Sequence, residues 1–257
     1  MHTQIDLIFF ELDTYTAFSV LGVILGCLVT WLYLQAHSRR ASALGTWLDG
    51  AMIVFVFGWL GARLYHVTTN WDYFAARPEE ILQPGLGGLG MRGAFIVGGI
   101  ALAIYTTVKK IAFWHFADAA GLGLALGQAM GWVGALQWGA NYGVVSDSQI
   151  AVDLPDLYGL IQPRFPVQHI EVAFFVLLFA ALLIMTFQSP PKGTVFVAYL
   201  IVNSLAQFAL GFARGDATAH IGILRVDQVV DLGFMTCGVG IAAVRRIRTN
   251  ELFADGS

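Results

Sequence analysis

Residues 127–143 read GQAMGWVGALQWGANYG, and the meaning of this stretch decides the fold. With Gly123 just before it, Gly127 and Gly131 recur every fourth residue, which aligns them on one face of a helix. In a water-exposed helix each glycine costs about 1 kcal/mol against alanine. Inside a membrane the same small residues let a second helix approach closely. Yet the stretch also carries Gln128, Gln137, Asn141, Trp132 and Trp138. A buried amide in hydrocarbon needs a hydrogen-bond partner. The segment therefore reads as a close-packed membrane helix whose amides face a neighbouring helix or a polar cavity.

The rest of the chain agrees with a membrane setting. Of its 257 residues 57% are hydrophobic and 12% charged, where a soluble domain is about one quarter charged. Successive apolar runs are long enough to cross about 30 Å of hydrocarbon. They predict spans at 15–36, 47–67, 95–108, 116–136, 167–187, 193–212 and 226–244. The fold class expected is all-α: a polytopic membrane helix bundle of about seven transmembrane helices, forming a single integral membrane domain over 1–257. Two long connections, about 68–94 and 140–166, mix polar and apolar residues, and they predict an outer-face cap of loops and short helices. Turn chemistry marks both, at Gln83-Pro84-Gly85 and Gln162-Pro163.

Charge placement gives an orientation. Arg39, Arg40, Lys109, Lys110, Lys192, Arg245, Arg246 and Arg248 all fall on one side of a seven-span chain. Asp6, Glu11, Asp13, Asp72, Glu79, Glu80, Asp147, Asp153 and Asp156 collect on the other. Basic residues stay in the cytoplasm, so the N-terminus is expected outside and the C-terminus inside. The N-terminal MHTQIDLIFFELD is acidic and lacks a basic n-region, which argues against a cleaved signal peptide. No basic tract suits nucleic acid. Cys27 and Cys237 both sit in apolar runs, so neither a disulfide framework nor a metal site is indicated. No GxSxG, HExxH or Walker loop is present, and no cofactor is expected.

Polar groups cluster near the outer ends of the spans. Arg63 lies deep in the second and Arg92 opens the third. Gln168, His169 and Glu171 begin the fifth. Asn203 and Gln207 lie in the sixth, Arg214 and Asp216 end it, and Asp227, Gln228 and Asp231 begin the seventh. Ionisable groups at such depth are costly and mark function or mutual pairing. Arg63, Arg92 and Arg214 suit the phosphate of a phospholipid headgroup, because a guanidinium grips phosphate bidentately. Gln128, Gln137, Gln168, Asn203, Gln207, Asp216 and Gln228 are the expected polar cavity lining.

Several stretches, in order, resemble the prolipoprotein diacylglyceryl transferase family. They are GARLYH at 61–66, WDYFAARPEEIL at 71–82, GGLGMRGAFIVGG at 87–99, GLALGQAMGWVGALQWGANYG at 123–143, PRFPVQHIE at 163–171, QFALGFARGD at 207–216 and VDQVVDL at 226–232. The departures fall on the family's charged motif positions. Neutral side chains stand there, with Gln128, Gln137, Phe165, Gln207 and Gly211 at or near them.

The resemblance implies a bacterial inner-membrane enzyme that moves a diacylglyceryl group from phosphatidylglycerol to the cysteine of a prolipoprotein. That chemistry needs a base for the thiol, cations on the leaving phosphate and an apolar slot for two acyl chains. For that chemistry the chain offers His169, Glu171 and Asp216 as base candidates, and Arg92 as a compensating cation beside Arg63 and Arg214. The substituted motif supports an alternative: a non-catalytic, lipid-binding scaffold or subunit of a larger membrane complex. A solute transporter is the third reading; no paired broken helices support it.

Overall fold

The computed structural model describes residues 4–7, 10–38, 43–83 and 88–254. The basic pair Arg39 and Arg40, the Pro84-Gly85 turn and Gly87 lie outside them, as does the side chain of Arg248. Seven described helices are long and apolar enough to cross a membrane, one for each predicted span. Two are α1 (Thr14–His37) and α2 (Leu44–Thr69), followed by the short α3 (Trp71–Ala75). The others are α4 (Met91–Val108), α5 (Phe113–Trp138), α6 (Val167–Thr186), α7 (Thr194–Gly211) and α8 (Val226–Ala254). The chain is a multi-pass membrane protein. Large apolar side chains such as Ile24, Leu28, Met52, Phe55, Leu177 and Ile184 stay exposed on its helices, where lipid would cover them.

Local chemistry sets the helix ends. The third span starts four residues before its expected edge, because Met91–Ala94 continue the helix. Helix α6 begins directly after Pro166, which cannot donate a backbone hydrogen bond and suits a helix start. Helix α7 begins after Gly193, held in the left-handed region at φ 88°. Helix α8 runs ten residues past the predicted 244, because the polar segment behind the span is itself helical.

Between the spans the cap is partly helical and partly β. In the first connection α3 and a 3₁₀ turn at Pro78–Glu80 match the expected short helices. There the Tyr73 hydroxyl donates to Glu80 Oε2 at 2.6 Å, and this bond pushes its pKa above the ordinary value. The second connection is not helical, contrary to expectation. It forms a hairpin of β3 (Val152–Pro155) and β4 (Ile161–Arg164), paired Val152 with Arg164 and Pro155 with Ile161. The Asp156 carboxylate accepts the backbone N–H of Tyr158 and of Leu160, which closes the turn. The β-branched residues Val152 and Ile161 favour strand over a short helix. Strands β1 (Gln4–Leu7) and β2 (Phe10–Asp13) form an N-terminal hairpin, and β5 (His220–Ile221) pairs with β6 (Leu224–Arg225) before α8.

The chain divides into two compact units. The first comprises Met1–Leu32, Ala117–Ala217 and Asp231–Ser257. Its closest helix contact answers part of the opening question. A Cβ on Gly123 would stand 2.6 Å from the Gly26 carbonyl oxygen, and one on Gly127 would stand 3.2 Å from that of Gly22. The glycines of α1 and α5 thus let the two backbones touch. Gly131 has nothing within 4 Å, so the repeat ends before it. The second unit comprises Tyr33–Phe116 and Thr218–Val230. There Gly61 of α2 faces Gly93 of α4, and a Cβ on either would meet the other's carbonyl oxygen at 2.4 and 2.2 Å.

Candidate functional site

In the first unit the polar groups gather around the end of the opening stretch. Helix α5 stops at Gly139, whose φ of 74° turns the chain. Asn141 also takes a positive φ, of 53°, a conformation asparagine tolerates. Its side-chain oxygen accepts from Arg214 Nη2 at 2.7 Å. Arg214 Nε and Nη2 also donate to Asp216 Oδ1 and Oδ2, at 2.8 and 2.6 Å. Trp132 lies under the same guanidinium at 6.0 Å. One residue before Asn141, the Ala140 carbonyl accepts from Gln168 Nε2 at 2.7 Å. One turn along α6, Glu171 Oε2 accepts from Gln207 Nε2 of α7 at 2.7 Å. Glu171 is fully buried. The segment 140–141 therefore joins the first turn of α6 to Arg214. Asn203 is buried one turn from Gln207, and Gln128 accepts the hydroxyl of buried Tyr199 at 2.5 Å.

The two base candidates of α6 part here: two residues apart on a helix, His169 and Glu171 point to opposite sides, and His169 is exposed where Glu171 is buried. Gln137 is exposed rather than turned into the polar cluster. Gln128 Oε1 accepts the Tyr199 hydroxyl and so links α5 to α7, the neighbouring-helix contact that was one of the two expected for its amide.

In the second unit Arg63 is buried, and four backbone carbonyls accept its N–H groups. They are Ile81 at 2.9 Å, Glu80 at 2.6 Å, Gly88 at 3.2 Å and Gln83 at 3.3 Å. One side chain from α2 thereby organises the connection that follows it. Arg92, in the first turn of α4, pairs with Asp227 at 3.0 Å and donates from Nε to the Asp227 carbonyl at 3.1 Å. The Tyr65 hydroxyl donates to the other Asp227 oxygen at 2.7 Å. Gln228 Oε1 accepts the backbone N–H of Arg225 at 2.9 Å, so it caps the start of α8.

Sequence reasoning missed several buried ionic groups, Arg164 and Asp118 among them. Arg164 pairs with Asp156 at 3.0 Å, stacks over Tyr142 at 4.5 Å and ties the hairpin to the strand-like 142–145. Its place in PRFP, beside a resembling motif, was the available signal. Asp118 accepts the N–H of Gly193 at 2.5 Å and of Phe196 at 2.9 Å, and so caps α7 from α5. A carboxylate inside an apolar run was the signal there. Among the described residues no cluster of His, Cys, Asp and Glu is arranged to hold a metal ion.

A sequence model described as prolipoprotein diacylglyceryl transferase matches residues 3–244. The chain belongs to the prolipoprotein diacylglyceryl transferase family. Its relatives include the phosphatidylglycerol–prolipoprotein diacylglyceryl transferase of Bacillus licheniformis, 28% identical over 90% of this chain and 87% of that protein. The protein of the same name from Symbiobacterium thermophilum is 32% identical over 74% of this chain and 79% of its own length. That from Dehalococcoides mccartyi is 30% identical over 92% and 90%. The family match covers the Glu171–Gln207 pair, Arg214, Arg92 and Arg63 alike.

Proposed function

We propose that this chain acts on phosphatidylglycerol and transfers its diacylglyceryl group to the cysteine thiol of a prolipoprotein. The family match over residues 3–244, to relatives bearing that name, carries the reading. The residues supply the parts. Glu171, buried and held by Gln207, is the proposed base, with His169 the exposed alternative. Arg92 and Arg214 are the proposed phosphate ligands. Each already holds a carboxylate, and a phosphate competes for the same donors. Arg63 was expected as a third; its bonds to loop carbonyls favour a role in shaping the connection that follows α2.

Purified protein, given phosphatidylglycerol and a peptide with a lipobox cysteine, is expected to yield the diacylglyceryl thioether, read by mass spectrometry. No product under conditions where the Bacillus licheniformis relative is active overturns turnover. A second reading rests on a specific observation: neutral residues at or near the family's charged motif positions, among them Gln207 and Gly211, beside cations already paired within the protein. In that reading the chain is a lipid-binding subunit of a membrane complex. Phosphatidylglycerol retained on the protein without product supports it. The proposed setting is the bacterial inner membrane, with the N-terminus outside and the C-terminus in the cytoplasm.

A further inference from the structure

The facing sides of α6 and α7 carry a ladder of polar groups inside the first unit. The short connection 187–193 makes the two helices antiparallel. Their register is set by one rung, the Gln207 amide on Glu171. Gln168 lies one turn outward of that rung, and Asn203 and Ser204 lie one turn inward. All three are buried, at 1%, 3% and 0% exposed.

Each leaves a buried polar atom without a protein partner: Gln168 Oε1, Asn203 Oδ1 and Ser204 Oγ. The Gln168 amide cannot be turned round to cure this, because its nitrogen already donates to the Ala140 carbonyl. Its oxygen needs a donor. The Asn203 side-chain oxygen likewise needs a donor. Buried polar groups in native proteins are almost always hydrogen-bonded, and a lipid-facing dry seam would be costly.

A single bound cation does not fit these oxygens. They sit on both sides of the rung, with about 6 Å of helix between Asn203 and Gln207 alone. Oxygen ligands of one hard cation converge within about 2.6 Å of it. Separate small groups that both donate and accept are what the seam asks for, and the hydroxyl does both.

We propose that the α6–α7 seam is a binding site for O–H groups, either ordered water or the glycerol hydroxyls of a phospholipid headgroup. It is a different matter from turnover: the seam binds hydroxyl whether or not the thioether forms.

The test is hydroxyl-radical labelling of the delipidated full-length protein in detergent, in ¹⁸O water. Bound water delivers radicals to buried side chains beside it. Phe175, one turn from Glu171 on α6, and Tyr199, one turn from Asn203 on α7, are 0% and 1% exposed and are expected to be labelled severalfold faster than buried Phe116 and Tyr105. Adding phosphatidylglycerol then separates the sources. Labelling that persists assigns the seam to water; labelling suppressed by phosphatidylglycerol and not by phosphatidylethanolamine assigns it to the diol headgroup. In parallel, Ser204→Ala is expected to lower the Tm by about 2–4 °C, because it removes a satisfied hydroxyl. In a dry seam the same change removes an unsatisfied atom and raises the Tm. Labelling of Phe175 and Tyr199 at the Phe116 level, or a higher Tm for Ser204→Ala, overturns the proposal.

Discussion

Single side chains here do two kinds of work, and they separate by experiment. Asp118 satisfies backbone donors that open α7, where a helix N-terminus favours negative charge. Hydrogen bonds to a charged acceptor contribute about 1.5–3 kcal/mol each. Asp118→Ala is therefore expected to destabilise by about 3–6 kcal/mol, and Asp118→Asn by about half as much, since the amide oxygen still accepts. Thermal unfolding in detergent reads both, and equal losses would remove the charge from the argument. Arg214 belongs to the other kind. Its fork is matched to Asp216 through two parallel bonds, a geometry lysine cannot reproduce. If it holds the leaving phosphate, Arg214→Lys should cut product formation by about 10²–10³-fold. The fold would stay intact, as judged by an unchanged elution profile and a Tm within about 3 °C. Activity retained in Arg214→Lys would confine the residue to a structural pairing.

At the scale of helices, contact follows from where side chains are missing. Gly123 and Gly127 are pressed against α1, while Gly131 faces open space on the same repeat. Gly123→Leu is expected to abolish the folded first unit, and Gly131→Leu to leave Tm unchanged or raised, since glycine is the poorer helix former. Similar losses from both would mean the three glycines share one interface after all. The same repeat shows how far the sequence could be read. Each span was legible because a membrane helix satisfies its own backbone and displays its apolar side chains along one unbroken run. The four-residue strands β3 and β4 are too short to impose a period, so their segment read as helix. Residue types at the site were legible for the same reason that they are costly in lipid. Their directions were not. Whether His169 or Glu171 faces inward depends on the rotation of α6, which is set by the Gln207 bond and by Phe175 and Leu178 packing inward, not by local sequence.

For the whole molecule the open physical variable is its orientation across the membrane, because both proposed substrates reach it from a particular side. The acidic connections carry Asp147, Asp153 and Asp156, while Lys109, Lys110, Lys192, Arg245 and Arg246 lie at the opposite ends of the spans. Each arginine or lysine resists translocation, so the proposed orientation has the hairpin outside and the 187–193 connection inside. Two positions report on it cleanly. Tyr158, at the hairpin tip, is 90% exposed, and Lys192 lies in the opposite connection. In a background with Cys27 and Cys237 replaced by alanine, Tyr158→Cys is expected to react with a membrane-impermeant maleimide in intact cells or spheroplasts. Lys192→Cys should react only after the membrane is opened. Arg245 Nη2 donates to the backbone carbonyl of Lys192, an acceptor that neither variant removes. The reverse labelling pattern would put Arg214 and its neighbours in the inner leaflet, where no exported prolipoprotein cysteine would meet them, and the transfer reaction would lose its geometry.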